Sequence, residues 1–174
     1  MSLPSRVPED RYMPNTVSKT ALLADVRAIL QKGGNSDPAM DQVLAKLLEA
    51  FQCQVGTIHT VDAATGMLKL RARRGIPDSI LDKVKMIPIG KGMAGIAAER
   101  KQAVQVCNLQ TDTSGVAKPA AKDTKMEGSI SAPMLLDGKL FGTLGVGKPV
   151  PYEFSDEESD SLMAVGSLIA SFVK

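Results

Sequence analysis

Apolar residues recur along this chain in two rhythms, and the changes of rhythm mark its elements. From Val17 to Gln31 the positions Leu22, Val26, Ile29 and Leu30 fall at i, i+4, i+7 and i+8, one face of a helix. Gly33-Gly34 ends it. Ser36-Asp37-Pro38 then reads as an N-cap with proline in the first turn, opening a helix with the stripe Met40, Val43, Leu44, Leu47, Leu48 and Phe51. After Cys53 the period shortens. Val55, Ile58 and Val61 stand among threonines, a polar turn runs from Asp62 to Gly66, and Met67, Leu68 and Leu70 alternate with Lys69, Arg71 and Arg73. That texture predicts two antiparallel strands.

Ile80, Leu81 and Val84 share a face, which predicts a short helix from Pro77 to about Val84, followed by an extended stretch from Met86 to Ile89. Gly92 to Arg100 has room for about two helical turns, and strand character resumes from Gln102 to Val106. A polar loop from Leu109 to Glu127 follows; structureless loops of that length inside a domain are usually lids or disordered. Gly128–Leu136 and Lys139–Gly147, joined by Asp137-Gly138, form the clearest hairpin signal. Ser155 with Glu158 makes a capping box that opens a helix with Leu162, Val165, Ile169 and Phe172 on one face. Residues 1–16, broken by Pro4, Pro8 and Pro14, are expected to be a disordered lead-in, leaving one domain over 17–174. The order of elements predicts an α+β layer architecture, an antiparallel sheet with helices packed on it.

Composition narrows the function classes. The 174 residues are 44% apolar, enough for one globular core, and 21 basic against 19 acidic residues give a formal charge of +2. So small a charge supplies no field to steer nucleic acid, and 3% aromatic residues offer few stacking platforms, so no nucleic-acid partner is expected. Cys53 and Cys107 stand far apart and form no C-x-x-C pair, which fits a reducing cytoplasm. No apolar run approaches a membrane span, and no membrane partner is expected. A single histidine, His59, and two distant cysteines offer no zinc-ligand cluster. His59 itself reads as a strand residue with no acid or nucleophile near it in sequence.

Gly90 to Gly95, GKGMAG, matches the G-x-G-x-x-G pattern of a dinucleotide-binding turn, with Asp112 at roughly the spacing of the ribose-binding acid. The context does not follow. A parallel crossover needs a longer connection than the run from Gly95 to the next strand, and Pro88 in the preceding strand indicates an edge position. The glycines are therefore expected to make tight turns around a short helix.

Four stretches together resemble one family. Ile87–Leu109, IPIGKGMAGIAAERKQAVQVCNL, is similar to the glycine turn, short helix and strand of GAF domains. Ile130–Leu140, ISAPMLLDGKL, resembles their strand with a proline and a hairpin turn. FGTLGVGKP resembles the next strand, and FSDEESDSLMAVGSLIASFV the closing helix. The resemblance implies a GAF-like (PAS-related) sheet of about six antiparallel strands. Terminal helices would pack on one face, while short helices and the long loop would cover a pocket on the other. It also implies a regulatory domain of a bacterial-type signalling protein that binds a small molecule and signals through its terminal helices within a homodimer.

Within that family the sequence points away from some chemistries. Bilin-binding members use a cysteine in the pocket helix, often followed by histidine, and no Cys-His pair occurs here. Members that reduce free methionine sulfoxide place cysteines in the loop and at the glycine turn. Met93-Ala94 occupies that turn and Thr111 to Glu127 holds no cysteine, so no enzymatic role is expected, a reductase of that type being the alternative. Gly147-Lys148, Phe154 and Asp156-Glu157 partly match the cyclic-nucleotide signature without its asparagine, which leaves a cyclic nucleotide as a candidate ligand. No cofactor is named by the residues. A second alternative is a ligand-free interaction or dimerisation module. The expected pocket residues are Asn108 and Asp112 at the loop entrance, Ser129 and Ser131 on the next strand, and Thr143 on its hairpin partner. Small polar groups on an apolar sheet face are what fixes a ligand's orientation.

Overall fold

A computed structural model of the protein describes residues 18–174. The expected lead-in at 1–16 lies outside the described residues. Helix α1 (Lys19–Gly33) is capped by the Ser18 hydroxyl, and α2 (Asp37–Phe51) by that of Ser36, with Pro38 in its first turn. Strands β1 (Val55–Val61) and β2 (Leu68–Arg74) follow, then a 3-10 turn (Asp78–Ile80) running into the short helix α3 (Leu81–Val84). Strand β3 (Met86–Ile87), helix α4 (Gly92–Arg100) and strand β4 (Val104–Val106) lead to the long loop. The loop contains one further turn of helix, α5 (Pro119–Lys122), which the sequence pattern did not signal. The hairpin β5 (Gly128–Leu136) and β6 (Lys139–Lys148) and helix α6 (Asp156–Val173) complete the chain. The capping box forms as the sequence requires, Ser155 accepting from the Glu158 amide and the Glu158 carboxylate accepting from the Ser155 amide.

The six strands pair antiparallel in the order β3-β2-β1-β6-β5-β4. Strands one sequence step apart at β3 and β4 thus sit at opposite edges, and α4 must carry the chain across the sheet between them. The expected strand containing Pro88 stops at Ile87, because a residue without an amide hydrogen cannot continue the ladder. This is an edge strand in an antiparallel sheet, so GKGMAG does not follow a central parallel strand, and the dinucleotide context is absent.

Alternation divides the sheet into two faces. Ile58, Ile130, Ala132, Met134, Leu144 and Val146 point to the face covered by α1, α2 and α6, where they join Val26, Leu30, Leu47, Leu162 and Ile169 in the main core. Val55 and Val106 point the other way and join Met93, Leu109 and Met126 in a smaller apolar cluster beneath α4 and the loop. The β1–β2 register shifts between Ile58 and His59, because β2 carries one extra residue, Arg71. Its guanidinium is drawn to the helix side, where it donates to Asp37 Oδ1 at 2.7 Å and to Asn35 Oδ1 at 2.9 Å. The bulge lets His59 and Leu70 face each other in register. Among the described residues no helix is long and apolar enough to cross a membrane.

Candidate functional site

The smaller cluster does not fill the space under α4. A cavity of about 540 Å³ remains between the sheet and its roof of α3, α4, α5 and the loop, within the range of small-molecule sites. Its walls are apolar, among them Ile76, Ile80, Met93, Leu109 and Met126. Its floor is the pleat of β5, β6 and β1. Ser131, Gly145 and Thr57 are cross-strand partners in one row, and Ser129 lies two residues from Ser131 on the same face. Ser131 is 7% exposed, and its hydroxyl opens to the cavity with no hydrogen-bond partner. Ser129 instead donates weakly to the Val146 carbonyl at 3.4 Å.

The next row pairs His59 with Thr143. His59, 1% exposed, lines the cavity and places Nε2 2.8 Å from the Val84 carbonyl oxygen. A carbonyl only accepts, so Nε2 carries the proton. Burial holds the imidazole pKa below its ordinary value of 6.5, opposed by that hydrogen bond, and the ring is neutral. Its Nδ1 and the Thr143 hydroxyl are both buried without a partner, two unsatisfied polar atoms on directly opposed residues.

The mouth has a different character. Helix α4 begins there with no side chain capping it, and Gly92, Met93 and Ala94 line the cavity. The glycine pattern serves this approach. Gly90 (φ 93°) and Gly92 (φ 68°) take left-handed conformations that turn the chain into the helix, and a Cβ at Gly95 would collide with the Pro88 carbonyl. Lys83, Lys91 and Lys118 line the cavity and no Asp or Glu among the described residues does, although the Glu99 carboxylate packs against the turn at Gly90. Lys118 crosses directly over the helix start, its Cγ 3.6 Å from where a Cβ on Gly92 would lie.

The expected site residues are thus divided by the fold. Ser129 and Ser131 line the cavity, and Thr143 lies on the same face one row further, buried at 1% exposure and outside the lining. Asn108 and Asp112 line a separate hollow between β4 and the loop, together with Arg100 and the exposed Cys107. There Asn108 Oδ1 accepts from the Gln110 amide at 3.0 Å, and Asp112 Oδ2 accepts from the Ser114 hydroxyl at 2.8 Å. Sequence reasoning did not single out Thr57, Gly145 or Lys91, and gave His59 no role. The available signal was the alternation Val55, Thr57, His59 opposite the glycines of β6. Among the described residues no group of three or more His, Cys, Asp or Glu stands where it could hold a metal ion.

A GAF domain profile matches residues 35–174. The chain belongs to the GAF domain family. Similar solved structures include the GAF domain of a phosphoenolpyruvate-protein phosphotransferase from Coxiella burnetii. It is 19% identical with a TM-score of 0.72, over 90% of this chain and 94% of that one. The GAF domain of the corresponding protein from Acinetobacter is 16% identical with a TM-score of 0.75, over 89% and 92%. A third is free methionine-R-sulfoxide reductase from Neisseria meningitidis in complex with its substrate. It is 17% identical with a TM-score of 0.74, over 89% and 87%. No curated protein sequence matches the chain.

These structures correct the expectation that this GAF domain has no enzymatic role. Reductases share its fold as fully as the signalling-protein domains do. The expectation rested on cysteines missing from two segments, but a fold carries catalysis wherever suitable residues are grafted onto it. An enzymatic function therefore stays open for this GAF domain.

Proposed function

We propose that residues 17–174 form a cytoplasmic GAF sensor domain that binds a small molecule in the cavity under α4, and that residues 1–16 lie outside it. The observation that carries this reading is the cavity itself. It is roofed, mostly apolar and floored by the unpartnered Ser131 hydroxyl. A ligand-free interaction module would fill that space with its own side chains. Two free cysteines fit the reducing compartment. Ser129 and Ser131 belong to this site, Thr143 supports its floor, and Asn108 and Asp112 shape the loop that closes over it. Because β5 and β6 also carry the residues on which α6 packs, occupancy would reach the terminal helices, and through them a homodimer partner.

The test is a thermal-shift panel of cyclic nucleotides, nucleobases, amino acids, keto acids and neutral and cationic small molecules, run on the protein and on Ala121→Phe. Ala121 lies in the cavity wall on α5, where a larger side chain fills the cavity from the loop side. Free methionine sulfoxide belongs in the panel, with a turnover assay, because a similar structure is a reductase of that substrate. A ligand at about 100 times its Kd stabilises by roughly 2.7 kcal/mol. Selective stabilisation that Ala121→Phe removes supports the reading. Shifts unaffected by that substitution, or none across the panel, count against it.

A further inference from the structure

The two ends of the cavity make opposite demands on whatever occupies it. At the mouth, α4 presents the free amides of an uncapped nine-residue helix, which favour negative charge. Lys91 directly precedes this helix, Lys118 lies over its start and Lys83 also lines the cavity. These three lysines outweigh the one carboxylate at the turn, that of Glu99, whose Oε2 lies 3.1 Å from where a Cβ on Gly90 would stand. Exposed lysines and a helix start are not a site alone. At the floor, Ser131 is 7% exposed with an unpartnered hydroxyl facing the cavity.

The floor is also shaped. Gly145 lies between Ser131 and Thr57, each its direct cross-strand partner, so two hydroxyl-bearing residues flank a position with no side chain. Adjacent strands stand about 4.8 Å apart, which leaves a slot about two strand spacings wide between the flanking Cα atoms. No charged side chain lines this end, and an ionic group placed here would lose its hydration without a counter-charge. An uncharged hydroxyl or amide fits, since it satisfies the serine, whose Oγ lies 2.9 Å from where a Cβ on Gly145 would stand, and needs no counter-charge. Between the two ends lie Ile80, Met93 and Met126, which suit an apolar body.

We propose, resting on the sensor reading above, that the ligand is a small organic acid with an apolar body. Its carboxylate lies at the α4 N-terminus among the lysines, and an uncharged hydrogen-bonding group sits over Gly145 against the Ser131 hydroxyl. This excludes cations, which the mouth repels, and acids charged at both ends, one of which would be stranded on the floor.

The probes are short-chain hydroxy acids and hydroxyphenyl-substituted acids. Each is compared with its neutral amide, with its analogue lacking the hydroxyl, and with the corresponding diacid, by calorimetric titration at millimolar concentration. The hydroxy acids should bind about tenfold or more tightly than all three partners, a difference of about 1.4 kcal/mol. Ser131→Ala should abolish the preference over the analogue lacking the hydroxyl while preserving the preference over the amide. Lys91→Gln with Lys118→Gln should do the reverse. Gly145→Ala places a Cβ 2.9 Å from Ser131 Oγ, which a change of the Ser131 χ1 rotamer relieves, and 3.3 Å from the Ile130 carbonyl oxygen, which needs a shift of a few tenths of an ångström. With the slot blocked, the hydroxyl preference is lost in a variant whose unfolding midpoint is checked alongside.

If neutral or cationic compounds bind in a way that Ala121→Phe blocks while the acids do not, the cavity is a site and this assignment of its ligand falls. If the acids bind equally well to the Ser131 and double-lysine variants, the assignment also falls. If nothing enters the cavity, both it and the sensor reading fall.

Discussion

The neutral, buried His59 makes a quantitative demand on stability. In the fold its pKa lies below 6.5, first because burial disfavours the cation, with the Val84 carbonyl working in the other direction. In the unfolded chain the ring titrates at its ordinary value. Above that value both states hold a neutral ring and the linkage contributes nothing. As pH falls through it, the unfolded state takes up a proton that the fold refuses, and stability drops until the folded pKa is reached. One proton sets the limit at about 1.4 kcal/mol per pH unit, or roughly 3–5 °C in Tm per unit for a chain of this size. His59 is the only histidine, so no second imidazole contributes. Urea unfolding of the ligand-free protein between about pH 7.5 and 5.5, the window in which histidine titrates, should show this fall. His59→Gln keeps an N–H donor for Val84 and has nothing to titrate. It should be less stable at the upper pH and flat across the window. Parallel curves for the two proteins would refute the argument, because the slope would then come from other groups and His59 would be solvated or charged in the fold.

Three further outcomes follow from other contacts. Lys148, 8% exposed, donates to the carbonyls of Phe51 and Gln52 at the end of α2 and lies 4.6 Å from the centre of the Tyr152 ring. Lys148→Met should therefore cost about 2–3 kcal/mol in urea unfolding, as lost charge-assisted bonds do, and a loss under about 0.5 kcal/mol would contradict this role. Cys53 is buried with its thiol pKa pushed up to about 12, chiefly by desolvation, while Cys107 is exposed. A thiol reagent near neutral pH should label one cysteine in the native protein and two after denaturation, and peptide mapping that finds Cys53 labelled first would overturn the assignment. Ser155→Ala removes the acceptor for the Glu158 amide and should cost about 1 kcal/mol, within the usual range for an N-cap. An unchanged unfolding midpoint would show that the cap is dispensable.

What the sequence revealed depended on how local each cause was. The Ser36 and Ser155 caps act within three residues, and the Asp137-Gly138 turn joins strands that follow one another directly, so their signals survive in the chain order. Ser129 and Ser131 could be placed on one face because alternation is local too. The rest was set at a distance. His59 owes its tautomer to Val84, 25 residues away, and its placement to a bulge at Arg71 that is anchored by Asp37 and Asn35. Neither leaves a mark near position 59. Asn108 and Asp112 sit on loop backbone whose direction no periodicity fixes, and they turn toward β4 instead of the cavity. The one turn of helix α5 is too short to leave a helical repeat, although Pro119 marks its start. The expectation about catalysis failed for another reason, since it inferred function from where two residue types were missing.

The position of Gly145 bears on how a bound state could reach the helices. On β6 it alternates with Leu144 and Val146, which belong to the main core, and its neighbours on β5 are Ile130 and Ala132 flanking Ser131. Helix α6 rests on that same hairpin from the other side. A ligand seated over Gly145 would therefore touch the backbone beside the Ser131 hydroxyl that leans over it, and a single layer of pleat would separate it from the residues under α6. A side chain at position 145 could absorb a small displacement by changing rotamer. Bare backbone cannot, because its shift moves both flanking residues together, and close-packed cores resist such shifts. On this geometry coupling between cavity and terminal helix needs no chain of intermediary side chains. Its strength would be set by how tightly Leu144 and Val146 are held. The slot that admits the ligand's uncharged end would then also be the point where occupancy is felt.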